Sequence, residues 1–169
     1  MSFLVPPSPG GPAEIAADLM RLPELRHLVD GQARIVYLLR EDIVIKAGRQ
    51  VLGTCYLPQV QGSLRPLFDW LLATRFGDDP PIDFLIVLDN EYWTAASARQ
   101  REILVYHELT HCGHAVDKFG VPRFDKETGA PVFCIRGHDV EEFVDVVKRY
   151  GAHNDDIKAF IAAAQENHG

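Results

Sequence analysis

The sequence predicts an α+β fold in which a small mixed sheet packs against several helices. Helix-like and strand-like patterns follow one another along the chain without an internal repeat, which favours mixed layers. Residues 84–88 (FLIVL) are apolar throughout, which is typical of a buried strand. Apolar residues make up 47% of the 169-residue chain and charged residues 24%, so we expect one globular domain with one core.

Turn and breaker residues delimit the elements before the apolar strand. Pro23 should break or kink the first helix, because proline cannot continue the helical hydrogen bonds. Gly48 lies at the predicted turn of a hairpin, and Pro66 is tolerated in the first turn of the next helix. The predicted elements are a helix over 14–29, a strand over 33–39, a hairpin over 44–56 and a helix over 64–76.

Capping signals mark the helices after the apolar strand. Ser97 and Gln100 have the spacing of a capping box, and no proline or glycine follows until Gly113. Asp139 and Glu142 repeat that spacing at a later helix start. The predicted elements are a helix from residue 97 to about 119, a loop over 122–131, an edge strand over 132–135, and helices over 139–150 and 154–165, the last capped by Asn154.

Composition restricts the partners and the compartment. Residues 1–12 predict a flexible N-terminal arm without a secretory signal, and residues 13–169 a single domain. The net charge of −7 argues against nucleic-acid binding by the domain itself, and no apolar run is long enough to span a membrane. Three separated cysteines, an odd number, favour a reducing cytoplasm. Of these, Cys112 is expected to be a small packing residue.

The segment His107-Glu108-Leu109-Thr110-His111 has the HExxH pattern of a metal site on a helix. Residues four apart lie on one helix face, so both imidazoles can bind one Zn²⁺. The carboxylate of Glu108 can then reach a metal-bound water without being a ligand itself. This pattern predicts metal-assisted hydrolysis of a peptide bond with Glu108 as the general base.

A catalytic zinc ion needs a third protein ligand and one open position. Asp117, Glu141, Glu142 and His138 are the candidates. We predict His138, since it directly precedes a predicted helix start and Gly137 would allow a close approach of the backbone. Glu142 is the alternative; if it is not a ligand, it caps its own helix or orients a histidine.

Residues 104–112 (LVYHELTHC) and 137–143 (GHDVEEF) resemble the putative phage metallopeptidase family, as does the segment 83–93. The chain is also similar to SprT-like zincins, in which a Gly-His-Gly-x-x-Phe segment supplies the third histidine; here Asp139 replaces the second glycine. The resemblance implies a zincin-like metalloprotease fold. It also implies a zinc ion held by His107, His111 and His138, and Glu108 as the catalytic base.

The function expected from the sequence is therefore zinc-dependent cleavage of a protein or peptide, in a phage or prophage product. The strand over 84–88 is expected to lie beside the cleft and to pair with an extended substrate. The alternative is a non-catalytic, zinc-binding protein of the same fold that engages a host protein. Such a protein would not need a base beside the metal, so the presence of Glu108 favours the enzyme.

Overall fold

The structure is a computed structural model that describes residues 1–78, 80–140 and 143–166. Its contacts divide the chain into two compact units, Met1–Arg136 and Gly137–Gly169. The described residues form a mixed α+β structure, as predicted. The strands, all in the first unit, are β1 (Phe3–Leu4), β2 (Ile35–Arg40), β3 (Ile45–Lys46), β4 (Arg49–Gln50), β5 (Gly53–Tyr56), β6 (Phe84–Asp89), β7 (Cys112–His114) and β8 (Phe133–Ile135).

Helices of the first unit pack on its main sheet. They are α1 (Pro12–Leu19), α2 (Arg26–Asp30), α3 (Arg65–Phe76), α4 (Asn90–Ala95) and α5 (Ala98–His111), with short 3₁₀ helices at Pro23–Leu25 and Gly62–Leu64. Of these, α1, α4 and α5 are in contact with strands of the sheet. The predicted break at Pro23 is confirmed, because α1 ends before it and α2 begins after it. Residues 3 and 4, within the predicted N-terminal arm, pair with β2 as β1.

The main sheet has four strands in the order β1-β2-β6-β5. The central strand β6 runs parallel to β2 and antiparallel to β5, so strands occupy both of its edges. A strand paired on both sides cannot accept a substrate strand. The expectation that residues 84–88 lie open beside the cleft is therefore wrong. The edge strand on that side is β5.

The core lies between this sheet and helix α5. Phe84, Ile86 and Leu88 alternate along β6 and are fully buried, and Val105 and Leu109 of α5 are fully buried as well. Their spacing on the helix matches one apolar face. Helix α5 lies against β5 and α1, so the sheet and both helices share one apolar core.

A buried ion pair fixes the end of β6. Asp89 accepts a hydrogen bond from the Tyr92 amide at 2.9 Å and thereby caps α4. Its second carboxylate oxygen lies 3.4 Å from the guanidinium of Arg40, and both side chains are almost completely buried. Arg40 also donates to the carbonyl oxygen of Val51 at 2.7 Å. These bonds connect β2, β6 and the segment that leads into β5.

Helix α5 begins as predicted but ends earlier. The capping box of Ser97 and Gln100 is present in both directions, which confirms the predicted start. The helix was expected to continue to about Phe119, and this is wrong, because it ends at His111. The carbonyl oxygen of His111 accepts a hydrogen bond from the Arg136 amide at 2.8 Å, and the next residues form β7. Strand pairing thus replaces helical hydrogen bonds from Cys112 onward.

Residues 112–135, here called the 112–135 segment, form three short paired stretches beyond α5. The Ala115 amide donates to Val132 and the Arg123 amide to Ala115, while the Val132 amide donates to Arg123. Within the predicted loop over 122–131, a turn is closed by the bond from the Gly129 amide to the carbonyl oxygen of Asp125 at 2.9 Å. Gly129 has a φ of 69°, which glycine adopts without strain.

The second unit contains α6 (Val144–Tyr150) and α7 (Asp155–Glu166). A helix was predicted from Asp139, and this start is wrong: Val140 is not helical, and Phe143 is extended before α6. The predicted capping role of Glu142 lies outside the described residues. The predicted cap of the last helix is confirmed, since Asn154 accepts a hydrogen bond from the Ile157 amide at 2.9 Å.

Among the helices that the structure describes, none combines the length and the apolar content needed to cross a bilayer.

Candidate metal centre

His107 and His111 lie one turn apart at the end of α5, and their rings face each other. Their Nε2 atoms are 3.3 Å apart, and the ring centroids are 4.9 Å apart with an interplanar angle of 80°. Two ring nitrogens at this distance can direct their lone pairs toward one cation. The predicted pairing of these histidines on one helix face is therefore present.

The backbone of Arg136 orients the ring of His111. The Nδ1 atom of His111 lies 2.6 Å from the carbonyl oxygen of Arg136, and a carbonyl can only accept a hydrogen bond. In the neutral ring, Nδ1 therefore carries the proton and Nε2 carries the lone pair that faces His107. A backbone carbonyl on the distal nitrogen is the usual partner of a metal-binding histidine.

A third histidine joins this pair. One ligand nitrogen from each of His107, His111 and His138 lies within 4.8 Å of the other two, which is a group that could hold a metal ion. We call these residues the histidine cluster. No described residue lies within 4 Å of a Cβ built on Gly137, so the described contacts do not require a glycine there. The approach of its backbone to the metal stays a prediction.

The other candidates for the third ligand differ in their placement. Asp117 is outside the histidine cluster, and its Oδ1 atom accepts hydrogen bonds from the amides of Phe119 and Val121 in a turn of the 112–135 segment. It therefore serves the turn. Glu141 and Glu142 lie outside the described residues.

Glu108 lies on the buried side of α5, between His107 and His111 in the sequence. Its side chain is almost fully buried, and burial raises the pKa of its carboxyl from 4.5 to about 7. Its Oε2 atom has no hydrogen-bond partner among the described residues. A buried carboxyl oxygen without a partner is costly, so this atom is suited to hold a proton or to accept one.

Gly53 of β5 makes room for Glu108, a role that the sequence alone did not indicate. A Cβ built on residue 53 would overlap the Glu108 carboxylate. The edge strand therefore passes directly against the candidate base. The available signal was a glycine inside a strand pattern, which often marks a close approach of the backbone.

Two cysteines and a tyrosine lie beneath this site. Cys112 is fully buried, which agrees with its predicted packing role. Its Sγ atom lies 3.4 Å from that of Cys55, and this hydrogen bond together with burial raises the pKa of the Cys112 thiol. Burial also raises the pKa of Tyr37, whose hydroxyl has no hydrogen-bond partner within the described part of the chain.

The donor set fits a divalent transition-metal ion. Imidazole nitrogens are good ligands for zinc, copper, iron and nickel, whereas magnesium and calcium prefer oxygen. The cluster offers three imidazoles, and Glu108, with its buried and unpartnered Oε2 atom, belongs to the same helical turn as His107 and His111. These residues could therefore hold a metal ion.

The comparisons with known proteins agree with this chemistry. The model of a family described as "Putative phage metallopeptidase" matches residues 11–165. The chain belongs to this family. No curated protein and no solved structure matches the chain significantly. The family and the histidine cluster together indicate a metal ion in the site.

Proposed function

We propose that the protein is a zinc-dependent metallopeptidase. The observation that carries the proposal is that two members of the histidine cluster share one helical turn with Glu108, whose carboxyl oxygen is buried and unpartnered. A purely structural metal site has no use for a buried carboxyl group beside its ligands in the chain. In this proposal His107, His111 and His138 are the zinc ligands, and Glu108 is the catalytic residue.

Each residue of the site has a separate task. His107 and His111 hold the ion from one helix face, and Arg136 keeps the Nε2 lone pair of His111 turned toward it. The ion, when bound, lowers the pKa of water and polarises a peptide carbonyl. Glu108 accepts a proton from the attacking water on its Oε2 atom and passes that proton to the leaving amine.

The edge strand β5 is the proposed binding surface for the substrate backbone. The Asp89 amide donates to the Leu52 carbonyl at 2.8 Å, so Leu52, Thr54 and Tyr56 direct their backbone groups toward β6. By alternation, Gly53 and Cys55 direct theirs toward the open edge. An extended peptide can add to this edge as a further strand, next to Glu108.

The wider setting is also part of the proposal. We propose a zincin-like fold for the domain. The family match supports an origin in a phage or prophage and action on a protein or peptide. We further propose that residues 13–169 act as a single domain. The free thiols of Cys55, Cys112 and Cys134 suit a reducing cytoplasm, and neither a membrane nor a nucleic acid is needed as a partner.

Metal content and cleavage, measured on the same variants, test the proposal. Glu108→Gln should retain one zinc ion per chain and lose at least about 100-fold in the rate of cleavage of an unfolded protein, because only proton transfer is removed. His138→Ala should lose zinc, whereas the control His153→Ala, an exposed histidine outside the histidine cluster, should retain it.

Three outcomes would change the proposal. Wild-type cleavage by Glu108→Gln would remove Glu108 from the mechanism. An unchanged zinc content in His138→Ala would transfer the role of third ligand to Glu142. A zinc-loaded wild type that cleaves neither unfolded proteins nor peptide libraries would favour the binding function over the enzyme.

A further inference from the structure

Two buried thiols meet where the edge strand crosses helix α5. The Sγ atoms of Cys55 and Cys112 are 3.4 Å apart, although the residues are 57 positions apart in the chain. A disulfide bond is about 2.05 Å long, so a movement of about 1.4 Å would join them. Cys112 is 0% exposed and Cys55 is 8% exposed.

The two sulfurs belong to a repeated contact between β5 and α5. Gly53 and Cys55 lie on the same face of the strand, two residues or about 6.7 Å apart. Glu108 lies in α5, and Cys112, the residue directly after the end of that helix, is four residues or about 6 Å further along. Because these two spacings are similar, both pairs can be in contact at once: Gly53 lies against Glu108, and Cys55 lies against Cys112. The cysteine contact thus holds the strand in register with the helix.

We propose that Cys55 and Cys112 are a redox-modification site, whose disulfide bond locks the edge strand β5 to the residue that directly follows helix α5. The oxidant is a small-molecule disulfide. Cys55, the more exposed sulfur, attacks it as the thiolate and releases one small thiol. Cys112 then attacks the mixed disulfide, forms the Cys55–Cys112 bond and releases the second thiol. The two thiol protons of the protein leave on the two small thiols, so atoms and electrons balance.

Closing this bond acts on the neighbouring contact. The bond draws β5 toward α5 at Cys55, two residues from Gly53. At Gly53 the strand already lies so close to the Glu108 carboxylate that an added Cβ would overlap it. Oxidation should therefore displace Glu108 and hold the edge strand fixed. This consequence rests on the proposed function; the bond itself does not.

The test uses the full chain loaded with zinc, in buffers with graded ratios of glutathione disulfide to glutathione. A second sample is refolded from denaturant in the same buffers, so that slow access to buried thiols cannot hide the equilibrium. We expect a mass lower by two hydrogen atoms and a peptide that joins residues 55 and 112. Cys134→Ser should give the same result, since it keeps both members of the pair, and Cys112→Ser should not.

Free thiols at residues 55 and 112 in the refolded protein, at the most oxidising ratio, would overturn the proposal. Glutathione adducts alone, or bonds to Cys134, would overturn it as well. In the oxidised form, cleavage should fall at least tenfold and return on reduction, and an unchanged rate would refute the coupling to Glu108. A reduced protein without cleavage would count against the proposed function, while the mapping would still decide the bond.

Discussion

The contact between Glu108 and Gly53 joins the candidate base to the edge of the sheet. The sequence was sufficient to predict Glu108, because the offsets of two histidines and a carboxylate on a helix are local. It was not sufficient to predict Gly53, because the contact joins residues that are distant in the chain. The same limit applied to the third ligand, for which sequence left several candidates.

Gly53→Ala should place a methyl group against the Glu108 carboxylate. We expect a loss of about 1–3 kcal/mol in the free energy of unfolding, as is typical when a packed site is overfilled. Cleavage should fall at least about tenfold, because proton transfer depends on the position of the base, while the zinc content stays unchanged. Chemical denaturation, elemental analysis and a cleavage assay measure these three quantities.

Gly137→Ala is the matched control, since the structure describes no atom within 4 Å of a Cβ at that position. It should retain the stability of the wild type. Wild-type stability and cleavage in Gly53→Ala would show that β5 is not packed closely against Glu108 at residue 53.

The raised pKa of Glu108 predicts a pH dependence of stability in the metal-free protein. The carboxyl titrates near 4.5 when unfolded and near 7 when buried in the fold. Its contribution to stability is complete below about pH 4.5 and is lost as the pH rises through about 7, where a charge must be buried. Glu108→Gln removes this dependence.

The difference in free energy of unfolding between Glu108→Gln and the wild type should therefore increase from pH 4.5 to pH 8, by up to about 3 kcal/mol. Urea denaturation at several pH values, in the presence of a chelator, measures it. A difference that stays constant with pH would show that Glu108 is not desolvated.

At the level of elements, helix α5 was predicted at its start but not at its end. The start depends on Ser97 and Gln100, which are three residues apart and bond to each other's backbone. The end depends on strand β8 and on Arg136, which lie far along the chain. Local capping is readable from sequence, whereas termination by tertiary pairing is not.

Ser97→Ala should weaken the start of α5 and cost about 1 kcal/mol of the free energy of unfolding, the usual effect of losing a capping side chain. Chemical denaturation measures this cost. Ser63→Ala is the control, because Ser63 is exposed and the structure describes no side-chain cap for its 3₁₀ helix. Equal stability of the two variants would contradict a role for the capping box.

The strands illustrate the same distinction. The apolar run of β6 predicted a buried strand correctly, and the turn at Gly48 predicted the β3–β4 hairpin. Neither pattern indicates that β5 leaves this hairpin and pairs with β6 in the main sheet. The order of strands depends on long-range packing, so the open edge was assigned to the wrong strand.

At the level of the whole molecule, the α+β class could be predicted because it follows from the order of local patterns. The extent of the domain, from residue 13 to residue 169, stays a prediction. The match over residues 11–165 shows that the family relationship covers both compact units. Family membership thus adds information that neither periodicity nor spacing provides.

Zinc should stabilise the whole protein by mass action, since an unfolded chain does not hold three histidines together. At a free zinc concentration about 100 times the dissociation constant, the gain is about 2.7 kcal/mol. Thermal unfolding with zinc and with a chelator measures the shift in Tm. Magnesium should cause no shift, because it prefers oxygen ligands. His111→Ala should abolish the zinc effect, and an equal Tm with zinc and with chelator would contradict the site.

The 112–135 segment is closed at its base by two hydrogen bonds between His111 and Arg136, one between their backbones and one from the His111 ring to the Arg136 carbonyl. Because loop-closure entropy grows only with the logarithm of length, doubling such an excursion costs about 0.6 kcal/mol. Related chains can therefore gain or lose residues in its turns while the carbonyl of Arg136 still orients the imidazole of His111. Diversity among family members should accumulate there, at little thermodynamic expense.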